Sequence, residues 1–104
     1  MDKVALMVTL KAKKGKEADV EQFLMDALSD VENESATSVW HALRLDHSTF
    51  IIVDTFPDEE GRQAHLSGKI ASAIKEKSAE LFSQPLVIEK LDIIAVKLPE
   101  VLQY

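Results

Sequence analysis

A chain of 104 residues, 46% hydrophobic and 29% charged, has the balance of one soluble globular domain spanning 1–104, and that balance excludes disordered and fibrous classes. A net charge of −6, from 12 basic and 18 acidic residues, argues against a nucleic-acid partner, which would need a concentrated basic face; the one basic cluster, Lys11, Lys13, Lys14 and Lys16, falls at a strand end and turn. With no cysteine, disulfides, thiolate nucleophiles and cysteine-ligated metals are excluded, and with no apolar run near 18 residues or signal-like start, a cytoplasmic location with no membrane partner is expected.

In chain order, Val4 to Ala12 reads as the first strand, with Val4, Leu6, Val8 and Leu10 on one face and Ala5, Met7 and Thr9 on the other. After the turn "KKGK", Glu17 to Val31 places Val20, Phe23, Leu24, Ala27, Leu28 and Val31 on one helical stripe, opposite Glu21, Gln22, Asp26 and Ser29. "ENESA" ends that helix. Thr37 to Leu45 reads as the second strand, "DHS" as a hairpin link, and the β-branched, aromatic run Thr49 to Phe56 as the third strand. Asp58 is placed to cap a helix from Glu59 to Leu66, with Glu59 and Glu60 in its first turn. Ser67 and Gly68 mark a bend, a further helix runs from Lys69 to Phe82, and Pro85 closes it. Leu86 to Leu98 reads as the fourth strand, followed by the tail "EVLQY".

The order β-α-β-β-α-β is the ferredoxin-like α+β arrangement with a four-stranded antiparallel sheet. Two helices cover one sheet face, so the other should alternate with polar residues. It does not: Phe50 to Val53 and Ile93 to Val96 are continuous apolar runs. A small domain with such a face is expected to pair sheet to sheet with a second copy as a homodimer.

Several residues could carry chemistry. His65 lies between Gly61 and Gly68 on one helical face, and small neighbours would leave room beside its imidazole for a pocket. In a pocket it could take a proton from a phenol or quinol; packed, it would instead bond a backbone carbonyl or cap a helix. Trp40 offers a flat wall for an aromatic ligand, or a core or interface residue, and Phe56 would line the same pocket. Asp54 shares a strand face with Phe50, Ile52 and Phe56, where a carboxylate needs a partner: a histidine that it orients, or Arg44 across strands. His41 reads as a strand-surface residue and His47 as a solvated link residue. Their spacing with His65 gives no metal site, and neither a phosphate loop nor a nucleophile elbow is present.

The strand order, "TFIIVDTFPDEEGRQAHL" and "IEKLDIIAVKLP" resemble the antibiotic biosynthesis monooxygenase family over nearly the whole chain. The resemblance implies a dimeric α/β barrel built from ferredoxin-like protomers. It also implies a cofactor-independent monooxygenase for an aromatic or quinol-type small molecule, with His65 as base or proton shuttle and Trp40, Asp54, Phe56, Gly61 and Gly68 around the substrate. The haem-degrading branch of this fold relies on a first-strand Asn and a helix Trp. Here the single Asn is Asn33 and the single Trp is on the second strand, so haem is not the expected substrate. Two other readings stay open: a non-catalytic ligand-binding or stress-related dimer, and an isomerase or decarboxylase on the same scaffold.

Overall fold

The computed structural model describes residues 1–99; the expected tail at 100–104 lies outside the described residues. The elements are β1 (Val4–Lys11), α1 (Glu17–Val31), β2 (Val39–Arg44), β3 (Thr49–Phe56), α2 (Glu59–Leu66), α3 (Lys69–Leu81) and β4 (Val87–Asp92). The strands form one antiparallel sheet in the order β2-β3-β1-β4, the ferredoxin-like arrangement expected.

Most boundaries follow local chemistry. Gly15 takes the turn before α1 at φ 86°, a conformation that side-chain-bearing residues rarely adopt. Asp58 caps α2, its carboxylate accepting from the Gly61 amide at 2.8 Å. The chain bends after α2, where the amides of Ser67 and Gly68 close on Gln63 and His65, and α3 restarts at Lys69.

Four elements are shorter than expected; β1 loses only Ala12, which makes an isolated bridge beyond it. β4 ends at Asp92 instead of Leu98, because Asp92 pairs with Val4, the first residue of β1; one further bond, from the Ile93 amide to the Lys3 carbonyl, exhausts the partner strand. β2 begins at Val39 instead of Thr37, since the Thr37 amide closes a turn onto Glu34. α3 stops at Leu81, and Phe82 turns extended to bridge Ala12, which follows β1.

Strand parity sets what each face carries. Leu6, Val8 and Leu10 of β1 stand opposite Asp54, Ile52 and Phe50 of β3. This face meets Val20, Leu24 and Val31 of α1 and Ile70, Ile74 and Leu81 of α3, forming the core. The Arg62 guanidinium is buried between layers and donates to the carbonyls of Ala5 and Leu91, tying α2 to β1 and β4. Among the described residues, no helix covers the other face. Met7, Ile51 and Val53 are half-buried there, while Leu43, Val87 and Leu91 are exposed. Ile93, Val96 and Leu98 return beside Val39 and Val53 to edge a groove of about 330 Å³ on that side.

Candidate functional site

The site begins with a parity consequence. Asp54 lies at an even position of β3, so its carboxylate points into the helix-covered face, where it is 0% exposed. Its cross-strand neighbours there are Leu6 and Trp40. A buried carboxylate needs a counter-charge or donors, and α2 supplies one. His65 is 9% exposed, with Nε2 2.9 Å from Asp54 Oδ2. This contact sets the imidazole against the carboxylate, and among the described residues no hydrogen-bond donor reaches Oδ1.

The opposite ring nitrogen is also engaged. His65 Nδ1 lies 2.6 Å from Glu34 Oε1, and the Thr37 hydroxyl donates to the same oxygen at 2.9 Å while standing 3.4 Å from Nδ1. The Phe56 ring is tilted 45° to the imidazole at a centroid distance of 5.3 Å. His65 is thus clamped between two carboxylates and against an aromatic ring.

Burial pushes the His65 pKa down, but the contacts with Asp54 and then Glu34 outweigh it, and the net shift is upward. Folding therefore favours the imidazolium. The stabilisation is fully present below the ordinary value of 6.5 and is lost as pH rises through the higher folded value. Asp46 and Glu59 act oppositely. Hydrogen bonds from Thr49 and Arg62, respectively, lower their pKa values, so their contributions fade as pH falls below the carboxylate range. Urea unfolding from pH 4 to 9 is expected to show greatest stability at mildly acidic pH, about 5 to 6.5. His65→Gln should remove the decline on the alkaline side; a decline unchanged in that variant would assign it to another group.

A cavity of about 160 Å³ lies beneath α3, with Asp54, His65 and Trp40 at its polar end and Leu6, Ile52 and Ile70 among its apolar walls. Trp40 also borders a shallower groove toward α1, beside Met25 and Leu28. Its indole N–H is buried and, among the described residues, has no acceptor. On the far side of His65, a more open and polar hollow of about 420 Å³ is bordered by Glu34, Thr37, Gly68 and Lys69.

The structure brings together His65, Asp54 and Trp40, while three other candidates sit elsewhere. Phe56 is fully buried behind the imidazole and does not line the cavity. Gly61 gives the imidazole no clearance: a Cβ there would come within 3.3 Å of the Ala36 carbonyl, so its role is to let α2 lie against the segment after α1. Gly68 is likewise crowded by the Ala64 and His65 carbonyls, at 3.2 and 3.3 Å from an added Cβ. The approach of Gly61 to Ala36 holds the segment that carries Glu34 and Thr37 against α2, beside His65. Sequence reading missed both residues; 31 positions separate Glu34 from His65, and no spacing rule spans that distance. Arg44 does not pair with Asp54 but lies 3.6 Å from Glu21, with its guanidinium over the Phe50 ring. His41 is exposed on the open face, and His47 is exposed near Glu17.

No family model matches the chain, and no curated protein does. Among solved structures, a Nitrosomonas europaea protein of unknown function is 48% identical, with a TM-score of 0.93, over 97% of this chain and 98% of its own. A candidate antibiotic biosynthesis monooxygenase from Caulobacter crescentus is 20% identical, with a TM-score of 0.78, over 90% of this chain and 92% of its own. A second candidate monooxygenase, from Nitrosomonas europaea, is 12% identical at a TM-score of 0.78, over 88% of this chain and 90% of its own. The chain therefore belongs to one family with the Nitrosomonas europaea protein of unknown function, and its fold is that of the antibiotic biosynthesis monooxygenases.

Proposed function

We propose that the protein is a small oxygenase-type enzyme that holds an aromatic or quinol-type substrate beneath α3 and activates it with the Asp54–His65 pair. The observation that carries this reading is a fully buried carboxylate with one oxygen free of donors among the described residues, at the end of a largely apolar cavity and against an imidazole. The names of the structural neighbours point the same way.

In this reading His65 is not the base that the sequence suggested. Both ring nitrogens face carboxylates and its pKa is raised, so it holds a proton more readily than a free imidazole and is the weaker candidate for a base. Asp54 Oδ1 accepts the proton of the substrate hydroxyl, and the imidazolium beside it steadies the anion formed. The electron-rich ring passes one electron to dioxygen, and superoxide and ring radical combine to form a C–O bond. Asp54 returns its proton to the peroxide. Loss of water, which carries away the hydrogen of that carbon, leaves a carbonyl. One phenol and one dioxygen give one quinone and one water, with four electrons transferred and no external reductant.

A polarographic assay with a panel of phenols and hydroquinones tests this. Saturable oxygen uptake matched by quinone formation is expected, and its absence across the panel would remove the oxygenase reading. A ligand-binding protein without turnover is the second reading, favoured by the clamping of His65 on both sides.

We also propose that a second copy covers the open sheet face, as the exposure of Leu43, Val87 and Leu91 beside half-buried Ile51 and Val53 favours. Light scattering coupled to size exclusion should give about 23 kDa, twice the 11.6 kDa chain. A single-chain mass at micromolar concentration would overturn the pairing.

A further inference from the structure

The cavity beneath α3 is polar at only two places. At its inner end, beside His65, stand the Asp54 carboxylate and Trp40; among the described residues Oδ1 has no donor and the buried indole N–H has no acceptor. The β2–β3 register sets these two residues directly opposite each other on one face, so their Cα atoms are about 4.5–5.5 Å apart. A hydroxyl is the smallest organic group that serves both, donating to the carboxylate while accepting from the indole.

The walls between the two places are aliphatic, from Leu6, Val8, Ile52, Ile70 and Ile74. From the level of Asp54 to that of Ile52 is one strand repeat, about 6.6 Å. The volume of about 160 Å³ is close to that of an apolar cavity known to take benzene, roughly 150 Å³. Depth and volume together admit one ring. At the rim stands Lys75, the one Lys or Arg lining the cavity; it is exposed and has no carboxylate within salt-bridge distance among the described residues.

We infer that the cavity takes a single-ring aromatic bearing a hydroxyl at one end and an anionic substituent at the other, with Asp54 and Trp40 reading the hydroxyl and Lys75 the anion. This rests on the cavity being the substrate site proposed above, and it narrows the substrate class from any aromatic or quinol to a hydroxylated aromatic acid. Lys75 is a specificity residue in this reading and touches none of the reacting atoms.

Binding tests it independently of turnover. Trp40 is the single tryptophan, so one indole resonance in a ¹⁵N-correlated NMR spectrum reports on this N–H. Titration with 4-hydroxybenzoate is expected to shift it downfield saturably. Benzoate, which lacks the hydroxyl, should bind roughly tenfold more weakly or worse, without that downfield shift. Phenol should also bind more weakly than 4-hydroxybenzoate. Lys75→Met should abolish that preference while leaving phenol binding unchanged. Equal binding of benzoate and 4-hydroxybenzoate, or an indole signal that stays still, overturns the hydroxyl clamp. A preference that survives Lys75→Met overturns the anion contact, and a fused three-ring hydroxyarene that binds as tightly overturns the size limit. A protein that binds as expected but consumes no oxygen keeps this inference and loses only the oxygenase chemistry.

Discussion

Replacing His65 with alanine is expected to destabilise the fold by about 3–5 kcal/mol at neutral pH, the range for removing one partner of a buried ion pair. The reason is Asp54. It is fully buried, the imidazole is the counter-charge that reaches it, and its second oxygen already lacks a donor. Without His65 the carboxylate must stay charged and unpaired, take up a proton, or draw water into the core. Apolar replacement of both partners, Asp54→Val with His65→Leu, should recover most of the stability, since a well-packed apolar pair often equals a buried ion pair. Urea denaturation of the single and double variants over a pH series checks this. A His65→Ala loss below about 1 kcal/mol at pH 7 would show that the pair does not carry that weight.

The second large effect separates chemistry from stability. Asp54→Asn keeps the shape of the side chain and removes its ability to accept a proton. In the proposed reaction it should lower the rate constant for oxygen uptake by about 10²- to 10⁴-fold, the range for losing a general base. The folded state should suffer less than in His65→Ala, because a neutral amide strands no charge. KM should change little, since the amide oxygen can still accept from the substrate hydroxyl and the aliphatic walls are unaltered. Steady-state oxygen uptake measured beside thermal unfolding gives both quantities. A rate within a few-fold of wild type would remove Asp54 from the chemistry.

What could be read from the sequence follows the range of the interactions involved. α1, β3 and α2 were legible to the residue, because each is specified locally: the stripe from Val20 to Val31, the β-branched run ending at Phe56, and the cap at Asp58. The end of β4 was not. Ile93 to Leu98 has strand composition, yet a strand needs a partner, and β1 begins only at Val4. Asp54 and His65 could each be marked as unusual, a charge in an apolar strand and a histidine among small residues. Their pairing depends on how α2 lies on the sheet, which hydrophobic periodicity leaves open. Glu34 carried no mark, because a glutamate after a helix is ordinarily solvated. The glycines were noticed but misread: Gly61 serves contact between two backbone segments and gives the imidazole no extra room.

The strand order has one more consequence. Among the described residues its outermost strands, β2 and β4, each pair along one edge only, and an unpaired edge is the usual point at which sheets polymerise. Both edges carry charge or its potential: Glu89, Lys90 and Asp92 on β4, and His41 and Arg44 on β2. Edge-to-edge growth would bring such groups together at every added chain, whereas the open sheet face offers apolar surface through Leu43, Val87 and Leu91. A second copy seated there by two-fold symmetry, as proposed above, would use that surface up on both partners. Association would then close at two, and the arrangement that conceals the apolar face would also keep the protein from becoming a fibre.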